Sequence, residues 1–161
     1  MLEATRWKKQ EKRCAKLLTK YGGISLTQVD PDEICCLKVH GAEKADWYAR
    51  IRAVSFTYSE LLEYCYIIEF NFEKVSNYCD TKKQFRNALI LIAYHELMHI
   101  NEKGKLRKHD IQDFWHILKI FGIDKGRYRD APNLLKIDAK KLAKKLIKNV
   151  KKSKKKEGSK R

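Results

Sequence analysis

Between Tyr64 and His99 the hydrophobic pattern changes period once, and that switch constrains the fold more than any other feature of the chain. "YCYIIEFNFEKV" (Tyr64–Val75) is dense in aromatic and β-branched residues, which favours a strand. Thr81-Lys82-Lys83-Gln84 then fits a capping box, in which the Thr hydroxyl caps a helix and the Gln reaches back. Phe85, Ala88, Leu89 and Ile92 follow at helical spacing, and one more turn carries the stripe onto His95, Glu96 and His99. Asn101 and Gly104 offer the stop.

The flanking segments supply partners for these two elements. Glu3 to Tyr21 reads as a first helix with Trp7, Cys14, Leu17, Leu18 and Tyr21 on its apolar face, ended by Gly22-Gly23. "ICCLKVHG" (Ile34–Gly41) and "WYARIRAVSF" (Trp47–Phe56) read as strands; Gly41 suggests a hairpin between them, with Tyr58 to Glu63 as a possible helical crossing. Ile111, Phe114, Trp115, Leu118 and Phe121 mark a further helix from Asp110, capped at Gly122. The expected fold is α+β: an N-terminal helix, a short mixed or antiparallel sheet of about three strands, the histidine-bearing helix and a following helix.

The remaining segment is basic. Of the chain's net +16, residues 136–161 carry thirteen Lys/Arg against Asp138 and Glu157, a net of +11. Ile137, Leu142, Ala143, Leu146, Ile147 and Val150 form one side of an amphipathic helix whose other side is lysine, and "KKSKKKEGSKR" continues without apolar content. We therefore divide the chain into a domain over 1–135, with its core at 34–121, and a lysine-rich tail over 136–161. Lys140, Lys141, Lys144, Lys145, Lys148, Lys151 and Lys152 suit sequence-independent attraction to the phosphates of DNA or RNA better than base reading. An acidic membrane surface and plain solvation are the alternatives for this run.

Several function classes are excluded. No apolar run approaches the roughly 20 residues that span a bilayer, and the charged N-terminus lacks the apolar stretch of a signal peptide. Five cysteines (Cys14, Cys35, Cys36, Cys65, Cys79) without C-x-x-C spacing read as small buried hydrophobes in a reducing, cytoplasmic setting.

The chemistry lies in His95-Glu96-Leu97-Met98-His99, an H-E-x-x-H on a helix. Spacing of four puts both imidazoles on one side, one turn apart, as two ligands of a tetrahedral zinc ion must be. Glu96 then sits where a carboxylate can take a proton from activated water and pass one to a leaving amine. The three groups continue a stripe aimed at the core, and burying them uncompensated costs several kcal/mol. A zinc ion offsets that for all three, whereas two hydrogen-bonded core histidines are the plain alternative. A catalytic site of this kind needs a third protein ligand. Position 105 is Lys, so the metzincin spacing fails. His109, ten residues beyond His99 and past a Gly-containing loop, is the candidate. Asp110 and Asp113 are rival ligands, or acceptors that fix an imidazole tautomer; Asp110 could equally cap a helix. His40 and His116 look incidental. Tyr128 could reach an oxyanion, though a packing role suits it as well.

"YCYIIEFNFEKV", "LIAYHELMHI" and "GKLRKHDIQDF", in that order, resemble the family of putative phage metallopeptidases over roughly residues 34–121. The resemblance implies a minimal zincin-like core, with His95, His99 and His109 as zinc ligands, Glu96 as general base and a peptide or protein as substrate. A more distant likeness in layout is to the SprT-like proteases, which act on DNA-bound proteins. The expectation is a cytoplasmic zinc metallopeptidase, tethered to nucleic acid by its tail. The alternative from another class is a non-catalytic nucleic-acid-binding protein with a structural metal or none.

Overall fold

A computed structural model of the chain describes residues 1–42, 44–108 and 130–138. The elements are β1 (Glu3–Arg6), α1 (Lys8–Tyr21), β2 (Ile34–His40), β3 (Ala49–Ala53), α2 (Phe56–Leu62), β4 (Tyr66–Asn71), α3 (Phe72–Asn77) and α4 (Lys82–Met98). The class is α+β, and the sheet is mixed, with four strands in the order β1-β2-β4-β3. The helix expected from Asp110 and the Tyr128 and His116 positions lie outside the described residues, as does the lysine run beyond Asp138.

β4 sits at the centre because it is the most apolar strand. Tyr66, Ile68 and Phe70, two apart, are buried against the helices, while Glu69 points to the opposite face. There Glu69 stands directly across from Arg50 of β3 and pairs with it, and it also meets Arg52 at 3.5 Å. β3 alternates accordingly: Arg50 and Arg52 share one face, Ala49 and Ile51 the other.

Three expectations need correction. The hairpin between the second and third strands does not form, because β4 inserts between them. β2 pairs with β4 in parallel and β3 pairs with β4 antiparallel. A parallel pair requires a long crossover, and residues 41–65 provide it by way of β3 and α2; the helical crossing suspected at Tyr58 to Glu63 is α2. Gly41, with φ +76°, opens that crossover where a Cβ would stand 2.5 Å from the Met1 carbonyl.

The first helix starts at Lys8 rather than Glu3. Residues 3–6 bring no apolar side chain to a helical face, and all are exposed. Pairing antiparallel with the open edge of β2 satisfies their backbone instead, and Trp7 N–H continues the ladder to the Cys36 carbonyl at 2.7 Å. Similarly, the strand read as Tyr64–Val75 ends at Asn71. That side chain, wholly buried, donates to the carbonyls of Ala42 (2.6 Å) and Trp47 (3.2 Å) and accepts from Lys74 N–H, capping α3. Aromatic Phe72 hid the change of period.

The capping box at Thr81 is present as read: Gln84 N–H donates to Thr81 Oγ1 (3.1 Å) and Gln84 Oε1 accepts from Thr81 N–H (3.0 Å). Thr81→Ala should lower stability by about 1 kcal/mol, measured as a shifted denaturant midpoint with unchanged slope. α4 is more deeply set than its stripe suggests, since every residue from Asn87 to Met98 is buried. The sheet covers one side. α1 covers another, and Leu134 closes a third: Tyr21 Oη donates to the Leu134 carbonyl at 2.7 Å and packs edge-on against Tyr94. Burial pushes the Tyr21 phenol up to about 12. The cysteines are all unpaired, with Cys14, Cys35 and Cys36 buried as expected.

Candidate metal centre

The last two turns of α4 carry the site. His95 and Glu96 are each only 5% exposed, and His99 caps the helix C-terminus. Ligand atoms of His95, Glu96 and His99 all lie within 4.8 Å of one another. The two imidazole rings are 5.4 Å apart, and His99 Nε2 is 4.0 Å from Glu96 Oε2. The helical spacing therefore delivers what it promised, three donors converging on one point.

The loop after α4 decides how His99 is presented. Residues 100–107 fold back on the helix as a tight turn, with Ile100 and Leu106 forming an antiparallel bridge. Asn101 Oδ1 accepts from the N–H groups of Lys103 (2.9 Å) and Lys105 (3.0 Å). Gly104 takes φ +68°, and its carbonyl accepts from Tyr66 Oη at 2.7 Å. A Cβ at Gly104 would be both strained and 3.1 Å from that hydroxyl oxygen. The returning chain lays Arg107 beside His99. Arg107 N–H donates to the His99 carbonyl at 2.7 Å, and the Arg107 guanidinium holds the Met98 carbonyl at 2.7 Å.

The consequence is chemical. His99 Nδ1 lies 2.6 Å from the Arg107 carbonyl. A carbonyl can only accept, so Nδ1 carries the proton. In the neutral ring that leaves the Nε2 lone pair on the side of Glu96. A second hydrogen bond that fixes tautomer and orientation is what a metal-bound imidazole needs. Two imidazoles and a carboxylate, mostly buried and held in this way, are a donor set suited to a divalent ion that accepts nitrogen and oxygen ligands.

The site opens into a groove of about 710 Å³. His95, Glu96 and His99 line it together with β3, the approach to β3 from Asp46, and Leu106 to Lys108. Among the described residues β3 is an edge strand, so it runs past the three donors with one side of its backbone open.

Of the residues singled out from sequence, His95, Glu96 and His99 come together. His109, Asp110 and Asp113 lie outside the described residues. His40 does not line the groove; it pairs with Glu73 at the end of β2 and stacks against Phe72. Sequence reasoning missed Arg107 and Tyr66, and read Asn101 only as part of the helix stop. The first acts through a main-chain carbonyl, which every residue has, so no side-chain pattern could announce it.

A groove along a sheet edge, lined by a mostly buried His-Glu-His donor set, is an arrangement suited to metal-dependent hydrolysis. The chain belongs to the putative phage metallopeptidase family, whose profile matches residues 5–151. That match extends well beyond the 34–121 core in both directions and takes in the second half of β1, α1 and the first part of the basic segment. No curated protein and no solved structure matches the chain. Family membership brings a metal ion and a peptide or protein substrate with it. Among the described residues no helix is long and apolar enough to cross a membrane.

Proposed function

We propose that this protein is a zinc-dependent peptidase, with His95, His99 and His109 as ligands and Glu96 as general acid–base. The observation that carries this reading is the mostly buried His95–Glu96–His99 group, with His99 Nε2 left free on the side of Glu96 by the bond from Nδ1–H to the Arg107 carbonyl. His109 is favoured as third ligand because Lys108, its immediate neighbour, already lines the groove with the two histidines. Asp110 and Asp113 are close enough in the chain to accept from a ligand's second ring nitrogen.

A zinc ion there would supply Lewis acidity, polarising a peptide carbonyl and making water nucleophilic at neutral pH. Glu96 takes the proton from the attacking water as the new C–O bond forms. It then delivers that proton to the amide nitrogen as the C–N bond breaks, so the amine leaves neutral. The open edge of β3 holds the substrate as an added antiparallel strand, its backbone N–H and C=O groups fixing the scissile bond over Glu96. Burial of Glu96 and His95 keeps bulk water from competing for these protons. The five free thiols fit a reducing cytoplasm.

The test is metal dependence. Purified protein should contain about one zinc per chain, cleave an unstructured peptide, lose that activity to a chelator and regain it with zinc. A metal-free protein without activity would favour the non-catalytic reading.

We further propose that residues 136–161 form a separate functional unit that tethers the peptidase to nucleic acid through Lys140, Lys141, Lys144, Lys145, Lys148, Lys151 and Lys152. The root of this segment is packed rather than free: Lys20 Nζ holds the Leu135 carbonyl at 2.7 Å and Ile137 packs on the core. Truncation at 136 would therefore disturb the body, and neutralisation is the cleaner experiment. Replacing these seven lysines with Gln should flatten the salt dependence of DNA binding by up to about six in log–log slope and leave peptide cleavage unchanged. An unaltered slope would overturn the tether.

A further inference from the structure

A second groove, of about 510 Å³, lies between α1 and the N-terminal half of α4. Its charged lining consists of Lys9 and Arg13 from α1 with Lys82, Lys83 and Arg86 from α4, and among the described residues no acidic side chain lines it. Nine residues, about 14 Å of helix, separate Arg86 from His95, so this groove is remote from the proposed peptidase centre.

Among the described residues the cations have no partners of opposite charge. None of Lys9, Arg13, Lys82, Lys83 and Arg86 takes part in an ion pair among the described residues. Arg13 is half-buried and is positioned by the fold. Its Nη1 donates to Gln10 Oε1 at 2.7 Å, and Gln10, fully buried, donates through Nε2 to the Leu89 carbonyl at 3.0 Å. Gln10 thus ties α1 to α4 and fixes one guanidinium at their junction. Burial, and then the neighbouring charge of Arg86, pull the Arg13 pKa down. Confining like charges this way is unfavourable unless an anion joins them.

The shape of the site narrows the anion. Five cations spread over two helices exceed what one phosphate group would neutralise. At the start of α4 the capping box already uses the backbone N–H groups of Thr81 and Gln84, which leaves less of the helix terminus for a single bound phosphate. A lipid surface fits poorly. The apolar lining, Trp7, Phe85 and Leu89, is half-buried or buried, and none of these residues is among the exposed large hydrophobic side chains that could enter a bilayer. A chain of regularly spaced phosphates satisfies both the charge and its distribution.

We propose that the α1/α4 groove binds the sugar–phosphate backbone of a nucleic acid, independently of the C-terminal lysines. Contacts of this kind orient a strand without reading its sequence. The half-buried Trp7 and Phe85 add apolar surface to the groove.

The experiment uses the full chain, with a fluorescent 20-nucleotide DNA as duplex and as single strand, and phosphatidylserine vesicles as the rival anion. Lys82→Gln, Lys83→Gln and Arg86→Gln are combined, since all three positions are exposed and Gln retains helix propensity. A control combines Lys44→Gln, Lys103→Gln and Lys105→Gln, which remove the same charge from exposed positions outside the groove. The groove variant should bind DNA at least about 10-fold more weakly and lose about two to three units of duplex salt slope, while the control changes less than 2-fold. The same loss should appear when the seven tail lysines are already Gln, which separates this site from the tether. Peptide cleavage and the unfolding midpoint serve as checks that the variant remains folded. Equal losses in groove and control variants would reduce the effect to net charge and overturn the proposal. So would loss only when the tail is intact, or tighter binding to vesicles than to DNA.

Discussion

Glu96→Gln is expected to lower peptide cleavage by about 10²–10⁴-fold, the range that a positioned general acid–base contributes, while zinc content stays at that of the wild type. Gln has nearly the shape of Glu, so packing at this buried position survives. What disappears is the ability to hold a proton between water and the departing amine. The loss should therefore fall on kcat, with KM little changed, because the substitution leaves β3, the proposed substrate edge, unaltered. Retained zinc is the control that separates lost chemistry from a lost site. If cleavage persisted near wild-type rate with zinc bound, Glu96 would not be the base, and the proposed mechanism would fall.

The second large effect concerns the metal itself. His95→Ala and His99→Ala each remove one donor from a set whose members lie within 4.8 Å. Either should reduce zinc affinity by more than the 10–100-fold that loss of an outer hydrogen-bond partner typically costs. His109→Ala should match them. Asp110→Asn and Asp113→Asn should stay within the 10–100-fold range if those carboxylates only accept from a ligand's ring. Competition with a chromophoric chelator reads all five affinities on one scale. If one Asp variant loses zinc as severely as His95→Ala while His109→Ala does not, the third ligand is that aspartate.

Much of the site was legible in advance because a helix has a fixed period. Four residues make one turn, so His95 and His99 had to stack, and continuing the Phe85–Ile92 stripe placed them toward the interior without any knowledge of the rest. The capping box was equally local: Thr81 and Gln84 satisfy each other's backbone groups three residues apart. Extended segments were recognisable from their β-branched and aromatic residues, but their neighbours were not. Nothing within "ICCLKVHG" or "WYARIRAVSF" states that the later Tyr66–Asn71 segment will come between them. Residues 3–6 became a strand only because β2 offered an unpaired edge, a partner more than thirty residues away.

The sequence by itself determined the composition of the candidate centre and the helix that carries it, since both derive from spacing along one continuous element. Tertiary structure decided the presentation of that centre. The loop closed by Asn101, Gly104 and Tyr66 brings the Arg107 carbonyl to His99 Nδ1 and so selects the ring's free nitrogen. The strand order leaves β3, and not β2 or β4, lining the groove with the donors. Both decisions rest on hydrogen bonds in which at least one partner is a main-chain group, and main-chain groups are the same at nearly every position. That uniformity is why no motif could have shown them.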